Sequence, residues 1–343
     1  MKKEKITVND IAEYLGVSRN TVSKALNGQY VPARTRDKVL NAAIELGYKS
    51  YRTIASERIG SHRRIVLLSS KMLTTITYFI HILRSIESAV LDEDNIELLQ
   101  FTATKNNFFD RFLDFLNENN VGGIICIELF QPTWISKLIT LGYPIVFFDF
   151  PFSNSIYDGN FDVVLPESFN AVREFCIELV NKQKCKSFGF VGDYTHCMSF
   201  YERYLGMREA CFLCGLEVKP EHSVMENDAF PYGNAERLAE IIKKMPSLPD
   251  CFVAANDTIA VSILSALESL KKKVPADVLV MGFDNLSEAK KCNPPLTTFS
   301  VDKSLIGKKI LSVLLDRVID PGQRSQFIYL QSKPIIRQTT KKI

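Results

Sequence analysis

From Ile65 onward the chain alternates short apolar, β-branched runs with longer runs of helical periodicity, and few architectures accommodate that alternation. IVLLSS is followed by FIHILRSIESAVL, IELLQF by FFDRFLDFLN, GGIICI by WISKLITL, and IVFFDF closes the set. A second set begins after about residue 160 with an amphipathic helix from Ser168 to Lys182. It continues through FGFVG, RYLGMREACFLCG, a helix around Gly233 to Met245, CFVAA, DTIAVSILSALESL and VLVMGF. Strands that alternate with helices pair in parallel and are covered on both faces. Two such sets, with the chain crossing back after Asn285, predict a bilobed α/β body made of two parallel-sheet subdomains.

The residues before this body follow a different period. Thr7-Val8-Asn9-Asp10 offers polar caps to a short helix whose apolar face is Val8, Ile11, Ala12 and Leu15. Gly16 stands where that helix must stop, since glycine enters the left-handed backbone region without steric cost. Ser18 then caps a second helix running to about Asn27. Ala12, Gly16 and Val22 supply the small contact, the tight turn and the apolar plug of a helix-turn-helix. A third helix from about Pro32 to Leu46 buries Val39, Leu40, Ala43 and Leu46.

In that second helix only Val22, Ala25 and Leu26 anchor, while Arg19, Asn20, Thr21, Ser23, Lys24 and Asn27 cover the other faces. A helix held by one narrow apolar seam and coated with donors and acceptors fits the DNA major groove. Arg offers a fork to guanine and Asn one to adenine. Thr21, Ser23, Lys24 and Asn27, with Thr7 and Ser18 at the helix starts, are placed to grip phosphates or bases. Charge agrees with this placement. Residues 1–64 hold 13 Lys and Arg against 6 Asp and Glu, a balance of +7 in a chain whose net charge is only +3. A basic head on a slightly acidic body points to a polyanionic partner.

Other classes find little support. No apolar run reaches the length of a membrane-spanning helix, and MKKEKITVND lacks the apolar core of a signal peptide, so a cytoplasmic protein is expected. The eight cysteines read as reduced, buried small hydrophobes. Cys211 and Cys214 lie in a helical pattern, with no second Cys or His pair to complete a metal site. No phosphate loop, G-x-S-x-G elbow or H-E-x-x-H is present, and His62, His81, His196 and His222 show no ligand spacing. An enzyme is not expected, and no cofactor is implied.

ITVNDIAEYLGVSRNTVSKALNG and VPARTRDKVLNAAIELGYK together resemble the headpiece of lactose-repressor-type (LacI/GalR) transcriptional regulators. The resemblance runs the length of the chain. RYLGMREAC is similar to that family's R-x-x-G-F-x-x-A segment, VAANDTIAV to its A-N-D helix start, VMGFDN to its G-F-D-N strand end, NPPLTTFSVD to its P-L-T-T segment, and IIRQTT to its terminal I-R-x-S-T. It implies a helix-turn-helix headpiece over residues 1–50, a hinge over 51–62 and a periplasmic-binding-protein-like core over 63–343. It further implies a homodimer that reads a pseudo-palindromic operator and a small-molecule effector held between the lobes.

Open parallel sheets bind ligands beyond the carboxyl ends of their strands. Asp149 ends IVFFD, Asn256 and Asp257 end CFVAAND, and Asp284 ends VMGFD, so Asp149, Asn256 and Asp284 become candidate effector contacts. Arg203 in R-Y-L-G matches the family's effector-contacting arginine, and Arg and Asp at opposite lips suit neighbouring hydroxyls. Tyr78 and Phe79 align with the family's aromatic rim positions. Plainer readings stand beside these: Asp257 as a helix N-cap, Asp149 as a strand end, Arg203 paired with Asp284, Tyr78 and Phe79 as core.

The departures from the family pattern fall near the effector. ITYF stands where relatives have N-P-F-F, and VVLPESFNA replaces V-x-x-D-N-x-x-G-A, putting Pro166, Glu167 and Asn170 in the marked places. Val301 replaces a polar residue after P-L-T-T. A sugar or sugar phosphate is the first expectation for the effector and a nucleobase the second. In the hinge, YRTIASERIGSHRR, the family's leucine place is Glu57. Either Ile54 or Ile59 supplies the apolar wedge instead, or Arg52, Arg58, Arg63 and Arg64 hold the backbone by charge. The alternative class is a solute-binding protein built on the same two lobes, against which the basic head weighs.

Overall fold

The computed structural model describes residues 6–26, separate positions between 31 and 48, and 64–341 apart from 74–76, 94–95, 104–107, 153–158 and 160. Asn27, Leu40 and the whole 51–62 hinge, with Ile54, Glu57 and Ile59, lie outside the described residues.

The headpiece folds on local signals. Helix α1 (Val8–Leu15) starts at Thr7, whose N–H and hydroxyl both donate to Asp10 Oδ2, at 2.6 and 2.7 Å. It ends at Gly16 with φ 63°, which lets the Val17 N–H turn back to the Ala12 carbonyl at 3.0 Å. Helix α2 (Arg19–Leu26) is capped by Ser18, whose Oγ accepts the Thr21 N–H at 3.0 Å. Ile11 and Ala12 of α1, Val22, Ala25 and Leu26 of α2, and Val39, Ala42 and Ala43 beyond them form one buried core. Leu46 is only half-buried and packs against its edge.

The first lobe of the body is built on a six-stranded sheet that is parallel throughout. Its strands are β1 (Arg64–Ser69), β2 (Glu97–Thr102), β3 (Val121–Ile127), β4 (Ile145–Phe148), β5 (Phe161–Pro166) and β10 (Phe327–Leu330), in the order β10-β5-β4-β3-β1-β2. Helices α3 (Thr77–Leu91), α4 (Phe108–Asn119) and α5 (Pro132–Ile139) connect the early strands. Because both faces are covered, β4 and β5 are buried at every residue, and this is why β4 reads as an unbroken apolar run, while β5 carries one buried charge, Asp162.

The second lobe carries a three-stranded parallel sheet of β6 (Phe188–Val191), β7 (Cys251–Ala254) and β8 (Leu279–Met281). Around it stand α6 (Phe169–Gln183), α7 (Met198–Leu213), α8 (Ala235–Ile242), α9 (Asp257–Ser269) and α10 (Ser287–Lys291). Helix α7 crosses α6 at close range over Gly206, where a Cβ would come within 2.4 Å of the Phe169 carbonyl oxygen. That approach explains the glycine of RYLG in physical terms.

The predicted return crossing is present. After β9 (Thr298–Ser300) the chain enters α11 (Lys303–Ile319), which packs on α3, and then β10 joins β5 in the first sheet. The final strand β11 (Lys333–Ile335) pairs antiparallel with β9. Strands β5 and β10 were not foreseen. Arg317 of α11 locks this return: Nε and Nη2 donate to the two oxygens of Asp162 on β5 at 2.9 and 2.6 Å, with both side chains fully buried. Among the described residues no helix is long and apolar enough to cross a membrane.

Candidate functional site

A cavity of about 670 Å³ lies between the lobes, a volume typical of small-molecule sites. All six of the expected effector residues, Tyr78, Phe79, Asp149, Arg203, Asn256 and Asp284, border it. They are brought together from three strand ends and two helices. Tyr78 and Phe79 sit on α3, Asp149 follows β4, Arg203 projects from α7, Asn256 follows β7 and Asp284 follows β8.

Backbone conformation distinguishes the carboxylates at those strand ends. Glu128, Asp149 and Asp284 have φ of 55°, 57° and 111°, and each follows a strand that ends on the cavity. Residues other than glycine in this region cost of order 1–3 kcal/mol each and persist where the surroundings over-determine them, most often at functional sites. Glu128 was missed by the sequence reading, although the strand-end rule that selected Asp149 applies equally to GGIICIE. The same rule applied to FGFVGD would have found Asp193, which also borders the cavity.

Arg203 is 3% exposed and held on several sides. Its guanidinium donates to the Ala255 carbonyl, donates to Ser168 Oγ at 3.3 Å, and lies 3.7 Å from the centre of the Phe283 ring. Asp284 Oδ1 stands 3.7 Å from Arg203 Nη2, so the pair is electrostatic and open rather than hydrogen-bonded. Both belong to the second lobe, which corrects the expectation of opposite lips: α7 follows β6 and Asp284 follows β8 of one sheet, whose strand ends open on the same cavity. The carboxylate facing them from the first lobe is Asp149. Arg203 also lies in the second turn of α7, because that helix begins at Met198.

Burial raises the Asp284 carboxyl to about 6, against the opposing pull of Arg203 and Lys303. Lys303 Nζ donates to the Asp284 backbone oxygen at 2.6 Å. Asp149 Oδ1 accepts the N–H of Phe150 at 2.7 Å and that of Ser199 at 3.3 Å, which ties the end of β4 to the start of α7 across the lobes. Burial, with Asp284 adding to it, holds the Tyr78 phenol well above its ordinary range, so it is a neutral donor. Phe79 is buried among core residues although its edge borders the cavity.

The expected cap at Asp257 is corrected by one residue. Asn256 is the N-cap of α9, its Oδ1 accepting the Ile259 N–H at 2.9 Å. Asp257 is fully buried as the first helical residue and accepts from Thr298 Oγ1 at 2.6 Å and the Leu286 N–H at 2.8 Å. Burial pushes its carboxyl up to about 7. The departure at Glu167 also has a reason: its carboxylate accepts the N–H groups of Asn170 and Ala171 at 2.6 and 3.1 Å and so caps α6. Val301 is buried in the core and does not border the cavity.

At the cavity mouth stands a group that sequence reasoning missed. His196 Nδ1 meets Asp228 Oδ2 at 2.6 Å, its Nε2 is 4.0 Å from Glu128 Oε1, and Lys71 Nζ pairs with Glu128 at 2.9 Å. Among the described residues no cluster of His, Cys, Asp and Glu is arranged to hold a metal ion.

The headpiece offers a second surface. On α2, Arg19, Asn20 and Lys24 are exposed, and Thr21 and Ser23 are half-buried. At 3.6 residues per turn Arg19, Asn20, Ser23 and Lys24 share an arc of about 140° opposite the apolar seam. The Thr7 and Ser18 side chains are exposed but engaged in caps, and Asn27 lies outside the described residues.

Comparison with known proteins matches both parts. Residues 7–50 match the family model for bacterial regulatory proteins, lacI family, and residues 177–340 that for the periplasmic binding protein-like domain. Over 98% of its length the chain is similar to the HTH-type transcriptional regulator GalR of Streptococcus thermophilus, 28% identical with 99% of that protein covered. The HTH-type transcriptional repressor PurR of Vibrio campbellii is likewise 28% identical, with 98% and 99% covered. Among solved structures, a complex of the transcriptional regulator CelR with cellobiose superposes with a TM-score of 0.71 at 22% identity, covering 98% of this chain and all of that one. The lac repressor dimer bound to operator and the anti-inducer ONPF gives 0.67 at 22% identity, with 98% and 99% covered.

Proposed function

Since the chain belongs to the lacI family of bacterial regulatory proteins and is a DNA-binding transcriptional regulator, we propose that it is a homodimeric repressor whose operator affinity is set by a small molecule bound between its lobes. The headpiece spans residues 1–50, the hinge 51–62 and the effector-binding core 63–343. Arg19 and Asn20 read base edges, while Thr7, Ser18, Thr21, Ser23, Lys24 and Asn27 hold the backbone or neighbouring bases. Two headpieces in adjacent major grooves require half-sites about 34–36 Å apart, hence a pseudo-palindromic operator.

The observation that supports the effector site best is the convergence of Asp149 and Asp284, both held at positive φ, with Arg203 and Asn256 on one cavity. Carboxylates that accept and an arginine and amide that donate suit a ligand carrying adjacent hydroxyls, as a sugar or sugar derivative does. Tyr78 gives such a ligand a flat wall. A nucleobase is the second reading, supported by the aromatic edges of Phe130, Phe200 and Tyr232 on the same cavity. The ligand acts on DNA binding only through different affinities for more open and more closed lobes. Operator selection from genomic DNA tests the whole reading: enrichment of one pseudo-palindrome supports it, and uniform recovery overturns it.

A further inference from the structure

The cavity is built against negative charge. Its lining holds six carboxylates, from Glu128, Asp149, Asp193, Asp228, Asp284 and Glu288, against the cations of Lys71 and Arg203 and the imidazole of His196. Each of those three is already committed: Lys71 to Glu128, His196 to Asp228, and Arg203 to Ala255, Ser168 and the field of Asp284. Asp149, Asp193 and Glu288 have no cationic partner among the described residues; their acceptors take backbone N–H or hydroxyl groups instead.

Helix N-termini are the usual alternative for holding an anion. Those of α7 and α9, which border this cavity, are filled from within the chain. Asp149 already accepts the Ser199 N–H at the start of α7, and Asn256 the Ile259 N–H at the start of α9. A phosphate would have to displace a carboxylate at one and an amide oxygen at the other. Beside its carboxylates the lining leaves a neutral hydroxyl available. Ser199 borders the cavity and is 2% exposed, and its Oγ has no hydrogen-bond partner among the described residues. Such a buried hydroxyl calls for a ligand group to satisfy it.

Resting on the effector reading above, we propose that this cleft takes a neutral or cationic, donor-rich small molecule and excludes phosphorylated and carboxylate-bearing metabolites. Hydroxyl or ammonium groups of the ligand donate to Asp149, Asp193 and Asp284, and its acceptor faces Ser199 and the amide nitrogen of Asn256. A sugar phosphate, the partner expected from sequence alone beside the free sugar, is thereby removed. The repulsion acts inside a partly desolvated cleft, where salt screens poorly.

The test uses the full-length protein on its selected operator. A metabolite extract is divided on ion-exchange resins into anionic, neutral and cationic fractions, and each is assayed for change in operator affinity. The neutral or cationic fraction is expected to shift affinity by about tenfold and the anionic one by less than about twofold. Activity confined to the anionic fraction overturns the inference while leaving the effector reading intact. Activity in no fraction overturns the effector reading and this inference with it. A defined arm accompanies it: glucose 6-phosphate, adenosine monophosphate and inorganic phosphate should leave the melting temperature unchanged. Stabilisation by any of them that is lost in Arg203→Ala would overturn the exclusion directly.

Discussion

Arg317 and Arg203 are both shut away from solvent, one inside the first lobe and one on the wall of the cleft, and the two regions hold them in opposite ways. Arg317 meets both oxygens of Asp162 at hydrogen-bond distance and spends its remaining donors on the carbonyls of Phe161, Gln323 and Arg324. Arg203 faces Asp284 across 3.7 Å and leaves that carboxylate room for another donor. A buried pair that is closed on itself fastens the fold, whereas one left open borders a cavity and is ready for a third party. Depth of burial alone does not separate the two; completeness of pairing does.

The largest expected effect tests the closed pair. Arg317→Ala strands Asp162 without a counter-charge in the interior and should cost about 3–5 kcal/mol in stability. Chemical denaturation of the variant measures it. The double change Arg317→Met with Asp162→Leu should recover most of the loss, because no charge is then left buried. If the double variant is no better than the single, the pair does more than satisfy itself and the contrast drawn above is wrong.

Arg203→Ala should behave differently. Its removal leaves Asp284 beside a water-accessible cavity, so the loss in stability should stay at about 1–3 kcal/mol. The operator should still be bound, and its response to effector should disappear. Ligand affinity is expected to fall by at least about tenfold, or 1.4 kcal/mol. Calorimetry showing unchanged affinity would break the assignment of the open pair to ligand.

The headpiece extends the comparison to side chains that are exposed. Asn20→Ala should cost about 1–3 kcal/mol on the selected operator and little on random DNA. Lys24→Ala should weaken both alike and make the salt slope shallower by about 1. Equal losses on both DNAs for Asn20 would reduce it to a backbone contact.

How much could be read beforehand follows the range of the interactions. The helix-turn-helix was legible because its determinants are local: Thr7 and Asp10, Gly16, and Ser18 with Thr21 act within four residues. Strand ends were legible for the same reason, and they led to Asp149 and Asp284. Strands β5 and β10 were not, since FDVVLP and FIYL acquire their roles only by long-range pairing, β5 between β4 and β10 and β10 at the sheet edge. The one-residue error at Asn256 and Asp257 has a local cause: both residue types make good N-caps, and only the pocket formed by Thr298 and Leu286 decides which is drawn inside. Of the group of Glu128, His196 and Asp228 only Glu128 had a signal, its place at a strand end; the meeting of the three had none, because three separate loops carry it.

That group supplies the smallest expected effect, and it joins the two kinds of pair. His196 from the second lobe lies between Asp228 of its own lobe and Glu128 of the first, with Phe130 and Phe200 against its ring. Burial alone would lower its pKa, but the bond to Asp228 and the charges of Asp228 and Glu128 outweigh burial and the opposing Lys71, so the folded value lies above the ordinary 6.5. The stabilisation is therefore fully present below about pH 6.5 and is lost as pH rises through the folded value. Its size is modest, because the Asp228 side chain is 59% exposed and water screens the pair. The difference in melting temperature between the wild type and His196→Gln should be greatest in mild acid and vanish in mild alkali. Because Glu128 reaches the imidazole from the opposite lobe, the same titration should bias the cleft toward closure in acid. A melting difference that is constant from about pH 5 to 9 would show that His196 acts through packing against Phe130 and Phe200 and not through its charge.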